Sequence, residues 1–192
     1  NDSTSKGVET DTIEISSVTN ANESGSQSVS LTITDDESTA TVSLSSSAGS
    51  VAENGSALTL TATLSVASSE NVTVTLTGSG TSTAGTDYES LSAITVTAGQ
   101  LSGTTSFTPT DDSTYEGNET AIIAIDSVSG GSAVENGNQP TTITITEDDS
   151  SPTVTLSRSA ASIAENAGAS LTITATLSIA TTEDVTVTLS AA

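Results

Sequence analysis

Apolar and polar residues alternate along most of this chain with a period of two. Leu58-Thr59-Leu60-Thr61-Ala62-Thr63-Leu64, Val72-Thr73-Val74-Thr75-Leu76 and Ile143-Thr144-Ile145 are the clearest runs. Successive side chains of a strand point to opposite faces, so each run reads as a strand with one apolar face and one face of hydroxyls. Thr suits the solvent face because its branched Cβ favours extended backbone. No stripe of helical period reaches useful length. No apolar run approaches the roughly 20 residues of a membrane span, and no signal peptide is evident. The expectation is a folded, soluble, all-β chain.

Between residues 38 and 149 the pattern predicts seven strands, at 40–51, 57–66, 71–77, 91–97, 103–110, 119–128 and 141–147. Gly, Asn, Asp and Ser punctuate the gaps. Seven short strands at this spacing predict an antiparallel sandwich of two sheets with immunoglobulin-like architecture. The Cys and Trp of antibody domains are missing, so the expectation rests on strand number and spacing.

The pattern also repeats. Residues 41–76 read TVSLSSSAGSVAENGSALTLTATLSVASSENVTVTL, and residues 153–189 give TVTLSRSAASIAENAGASLTITATLSIATTEDVTVTL, the same string with one insertion. The opening NDSTSKGVETDTIEI echoes DDSTYEGNETAIIAI at 111–125, and LTITDDE at 31–37 echoes ITITEDD at 143–149. The organisation expected is the C-terminal part of one repeat (1–37), a complete repeat (38–149) and the N-terminal part of a third (150–192), as in a window on a longer tandem array. Only Ser150-Ser151-Pro152 separates the second repeat from the third.

Composition narrows the chemistry. The 192 residues carry 24 acidic side chains against two basic ones, Lys6 and Arg158, and contain no His, Cys, Met or Trp. Without Cys or His there is no zinc site, no catalytic triad and no disulfide. A net charge of −22 argues against nucleic acid and anionic membrane as partners, since both need basic patches. One Phe and two Tyr supply little for a ligand pocket or a binding hot spot. A carboxylate pair of the glycosidase kind would lack an aromatic platform, so the chain is not expected to be an enzyme.

Strand parity gathers the acid. If strands run from pole to pole, the first, third, fifth and seventh all finish at one end. Glu53 follows the first strand and Asp87 the third. Asp111, Asp112, Glu116 and Glu119 follow the fifth, and Glu147, Asp148 and Asp149 the seventh. The loops of the opposite pole carry only Glu70 and Glu135. Nine carboxylates at one pole repel, each close pair by about 1 kcal/mol at 4 Å even in water. A hard cation that takes six to eight oxygens, Ca²⁺ rather than Mg²⁺, removes that repulsion. The plainer reading is that acidic loops are merely solvated, but four clusters at one pole favour calcium.

The elements V-A-E-N-G (51–55), G-T-D-Y (85–88), D-D-S-T-Y-E-G-N-E (111–119) and I-T-E-D-D (145–149) together resemble the Calx-beta domain. That family is known from the calcium-sensing region of sodium–calcium exchangers and from long arrays in bacterial surface proteins. The resemblance implies Ca²⁺ ligands at Glu53, Asp87, Asp111, Asp112, Glu116, Glu119, Glu147, Asp148 and Asp149, with the carbonyl of Thr114. In the flanking partial repeats the matching positions are Asp2, Glu9, Asp35, Asp36, Glu37 and Glu165. Asn1 and Lys6 stand where the complete repeat has Asp111 and Glu116.

The Ser/Thr-rich, nearly base-free composition resembles the bacterial adhesin arrays more than the exchangers. The resemblance therefore implies an extracellular stalk segment on a bacterial cell surface, with gliding-motility or biofilm filaments as subtypes. Its partners would be neighbouring repeats and, through a distal region, a surface or host ligand. Two alternatives remain at this stage: a module whose repeats themselves bind sugar or protein, and a calcium sensor. Asn22-Glu23-Ser24, Asn71-Val72-Thr73 and Asn118-Glu119-Thr120 match the N-glycosylation pattern, which arises by chance in such a composition. Asn54-Gly55 and Asn136-Gly137 read as turns. Phe107 is expected in the core, and Tyr88 and Tyr115 beneath the acidic loops.

Overall fold

The computed structural model describes residues 4–166 and 168–190. All regular structure among them is extended, and no helix is long and apolar enough to cross a membrane. The first strands are β1 (Thr4–Ser5), β2 (Glu9–Glu14) and β3 (Ser28–Ile33). Next come β4 (Thr41–Ser46), β5 (Ser50–Ala52), β6 (Leu58–Leu64), β7 (Ala67–Ser68), β8 (Val72–Gly80) and β9 (Ile94–Val96). They are followed by β10 (Ser102–Phe107), β11 (Glu119–Ser129), β12 (Val134–Glu135) and β13 (Thr141–Thr146). The last are β14 (Val154–Arg158) and β15 (Ile173–Leu177).

Between residues 38 and 149 two sheets face each other, ordered β10-β6-β4-β12 and β5-β13-β11-β8-β9. Their inner faces are the apolar positions of the alternating runs, including Val42, Leu60, Val72, Val74, Ile94, Ile123 and Ile143. Phe107 and Tyr88 lie fully buried, stacked at 4.8 Å between ring centroids and 27° between planes. Gly78 makes room for this pair, because a Cβ there would overlap the Tyr88 hydroxyl.

The structure corrects the expected strand plan in two respects. Residues 40–51 do not form one strand. Ser46 Oγ donates to the Ala48 carbonyl at 2.8 Å, the chain turns, and β4 and β5 continue in different sheets. The pairing is also not purely antiparallel, since β5 runs parallel to β13 and β12 parallel to β4. With the two-residue strands β7 and β12, residues 38–149 hold ten strands rather than seven. Such short elements carry no periodicity that a sequence can display.

The flanking segments repeat the pairing but not the burial. Glu9 faces Ile33 as Glu119 faces Ile145, and Val154 faces Leu177 as Val42 faces Leu64. Ile13, Leu31, Leu156 and Ile173 are nevertheless exposed. They occupy the positions of Ile123, Ile143, Leu44 and Leu60, which are buried where a second sheet covers them.

Two substitutions test this core. Phe107→Ala should lower unfolding free energy by about 3–5 kcal/mol, the usual cost of an aromatic deleted from a packed interior. Gly78→Ala should cost about 1–3 kcal/mol through overpacking against Tyr88. Both should move the urea midpoint with little change in slope.

Candidate metal centre

Strands β4–β5, β8, β10 and β13 all end at the same pole of the sandwich, and their loops meet there. Asp87 is held by a tight turn in which the Thr83 amide donates to Asp87 Oδ2 at 2.6 Å. Glu53 leaves β5 with its own amide donating to the Thr146 carbonyl (3.0 Å), so β13 holds it in place. Residues 112–119 wrap across the pole between β10 and β11.

Three carboxylate groups result, each with one oxygen per residue lying within 4.8 Å of the others. They are Glu53 with Glu147 and Asp148, Glu53 with Asp112 and Glu116, and Asp87 with Glu116 and Glu119. Glu53 and Glu116 belong to two groups each, which links all three into one continuous acidic patch. Glu53 is its most enclosed member, only 7% exposed.

Backbone amides stabilise one carboxylate far better than the rest. Glu116 and Gly117 donate their amides to Glu147 Oε2 at 2.6 and 2.9 Å, and Asp149 donates to Glu147 Oε1 at 2.9 Å. Burial works against charge on Glu147, but these amides and that of Asp148 outweigh it and hold its pKa below the ordinary value. Among the described residues Glu53 accepts one amide, that of Asp112 at 3.3 Å. Desolvation, followed by the charge of Glu147, pushes its pKa up to about 7. Desolvation and neighbouring Asp87 likewise raise Glu119 to about 7, and desolvation with several like charges raises Glu116 and Asp149. Asp149 Oδ2 is buried and has no hydrogen-bond partner among the described residues.

A metal ion fits this donor set on chemical grounds. It offers only oxygen, clustered, partly desolvated and short of protons or amides to neutralise it. Such a set suits a hard cation of high coordination number. Glu53 and Glu116, each shared by two groups, would help hold such a cation, and the Asp149 Oδ2 without a partner among the described residues is a further acceptor beside Glu147.

The remaining positions named from the sequence divide. Asp111 is exposed and belongs to none of the three groups, although its charge reaches Asp149. Thr114, named for its carbonyl, donates its amide to Asp112 Oδ1 at 2.6 Å. Asp35, Asp36 and Glu37 form a separate acidic group, and Glu9 lines the same recess. There Asp35 accepts the amides of Lys6 and Gly7 at 2.8 and 3.2 Å, repeating the Glu147 turn. Glu165 is exposed and joins no acidic group among the described residues. Asp2 lies outside the described residues.

Two asparagines organise the site in a way the sequence reading missed. Asn54 Nδ2 donates to Asp148 Oδ2, and Asn118 Oδ1 accepts the Glu147 amide at 3.0 Å. Each ties one acidic loop to another. Both lay in patterns with commoner meanings, an Asn-Gly turn and a glycosylation triplet.

The raised groups set the pH dependence of the metal-free protein. Glu53 and Glu119 bind protons more tightly folded, at about 7, than at the ordinary 4.5 of an unfolded chain. Between those values the native state holds more protons, so stability falls as pH rises. With a chelator present, the melting temperature should be higher at pH 5 than at pH 8. A saturating divalent cation should abolish or reverse this trend, and calorimetry at the two pH values would measure both.

The Calx-beta domain family matches residues 35–149. Among solved structures, the apo form of a Calx CBD1 domain is 21% identical with a TM-score of 0.48, the match covering 57% of this chain and 99% of that one. CBD12 from CALX1.2 is 22% identical with a TM-score of 0.47, covering 55% of this chain and 44% of that one. A two-domain Bacteroides fragilis protein of unknown function is 9% identical with a TM-score of 0.42, covering 63% and 55%. With TM-scores under 0.5, these likenesses add nothing to the family match. No curated protein matches the chain. The family match spans well over half of the 192 residues, and this chain belongs to the Calx-beta domain family.

Proposed function

We propose that this chain is a calcium-stiffened stalk segment of a large bacterial surface protein, with repeats in series holding a distal adhesive or motile region away from the cell. The observation that carries the reading is the linked acidic patch at one pole of the complete repeat, joined through Glu53 and Glu116. In this reading Glu53, Asp87, Asp112, Glu116, Glu119, Glu147, Asp148 and Asp149 hold Ca²⁺. Asp111 lends charge from the rim.

Two further features favour a structural role. The described residues expose no aromatic patch, since Tyr88 and Phe107 are buried. The strings at 41–76 and 153–189 also differ mainly by exchanges such as Val/Ile and Ser/Thr, whereas a ligand-reading module needs variety in one set of loops. Bound calcium replaces repulsion with attraction at a pole that faces the next repeat across three residues. Pro152 fixes its own φ and restricts Ser151, which leaves that linker little freedom. Once the cation is removed, carboxylates on both sides of the joint repel, with screening effective only beyond about 8 Å at physiological salt.

Calcium should raise the stability of the chain by about 2.7 kcal/mol at a hundredfold excess over Kd, read as a higher melting temperature than in chelator. Asp112→Asn with Glu116→Gln should weaken calcium binding at least tenfold by titration calorimetry. Glu135→Gln, at the far pole, should leave it unchanged. Equal losses from both would remove the assignment of the site.

Small-angle scattering of the 192-residue chain tests the mechanical half of the reading. The expected result is an extended, stiff particle in millimolar calcium and a more flexible one in EGTA. Unchanged dimensions and flexibility would show that calcium does not stiffen the joints.

A further inference from the structure

The structure contains two junctions between repeats, and both are made by the same backbone contact in the same register. At the first, β1 runs parallel to β7, with Thr4 opposite Ala67 and Ser5 opposite Ser68, and the Ser69 amide donates to the Ser5 carbonyl at 3.2 Å. At the second, Tyr115 forms a parallel bridge with Thr181. Here the Tyr115 amide donates to the Ala180 carbonyl at 3.1 Å, and the Thr182 amide donates to the Tyr115 carbonyl at 3.3 Å. The sequence echoes place Ser5 at the position of Tyr115, and Ser68 and Ser69 at those of Thr181 and Thr182.

The receiving turn is also the same at both places. Ser68 Oγ accepts the Glu70 amide at 3.1 Å, and Thr181 Oγ1 accepts the Glu183 amide at 3.1 Å. This hydroxyl-closed turn leaves the Ala67 and Ala180 carbonyls and the Ser69 and Thr182 amides facing the preceding repeat. Ser5 and Ser68 are themselves buried. Because main-chain atoms carry the contact, Ser at one junction can stand where Tyr stands at the other.

We propose that residues 114–117 are a docking strand for the following repeat, whose 180–182 turn is its partner surface. Their amides are divided between two tasks. Those of Thr114, Glu116 and Gly117 turn inward to Asp112 and Glu147, while that of Tyr115 turns outward to Ala180. A cation that fixes Asp112, Glu116 and Glu147 therefore also fixes the strand that docks. This coupling rests on the calcium reading above; the docking itself does not. A fixed register at each joint gives every repeat the same orientation relative to the last.

Amide hydrogen exchange on the full 192-residue chain, followed by NMR, tests both parts. In calcium, the Tyr115, Thr182 and Ser69 amides should exchange slowly. Thr182→Pro removes one donor and should speed Tyr115 exchange about fivefold to tenfold, the factor a net hydrogen bond amounts to, while Ser69 and the core amide of Ile123 stay unchanged. Thr182→Ala keeps the amide and should keep the protection. Rapid exchange of Tyr115 and Thr182 in the unaltered, calcium-loaded chain would overturn the docking strand. If EGTA leaves their protection intact although calorimetry shows calcium binding, the docking stands and its coupling to the cation is overturned. If calorimetry shows no calcium binding, the calcium reading and with it the coupling fail, and the slow exchange alone supports the docking.

Discussion

Like charge held at short range is the constraint on which the rest of this structure depends. Seven carboxylates form linked groups at one pole with Asp111 and Asp149 beside them, and the fold has only a few amides to offer them. Glu147 takes more of these than any other, from Glu116, Gly117 and Asp149. Glu53 lies deeper with one long hydrogen bond and is driven toward protonation. Protons relieve this acidic pole at Glu53 and Glu119, and its linked carboxylate groups could hold a metal ion instead. The Tyr88–Phe107 stack closes the hydrophobic core just inside the pole.

Much of this was legible from the order of residues. Period-two alternation located the long strands within a few residues, because each has a buried and a hydroxyl face. Strand parity then brought Glu53, Asp87, Asp112, Glu116, Glu119, Glu147 and Asp148 to one end, and they do form linked groups there. The break at residues 46–49 was not legible. Its Ser-Ser-Ala-Gly stretch has no alternation to lose, and the crossing between sheets is set by where β13 offers an edge. Parity also could not separate buried Glu53 from exposed Asp111, since that difference comes from individual turns.

Asn54 and Asn118 show a second limit. An amide side chain that cross-links two loops leaves no spacing signature, because its partners are distant in sequence. Glu165 shows a third. It repeats the local motif of Glu53, yet a motif becomes a site only where the other loops supply its companions. Local pattern predicted strands well because strand faces are local, whereas the carboxylate groups are assembled from four separate connections.

The division of the first strand into β4 and β5 has a consequence for a protein under tension. Force applied along the chain would enter the complete repeat near β4 and leave near β13. Between these points β5 lies parallel to β13, bonded from Gly49 to Glu53 through the Thr144 amide, the paired backbone and the Glu53 amide to Thr146. Pulling the two ends apart loads these bonds in shear, so they must yield together instead of peeling off one by one. The acidic pole lies at the end of this seam, through Glu53 and Glu147. The element that clamps the two sheets is thus also the one that resists extension, and Glu53 and Glu147 sit at one end of it.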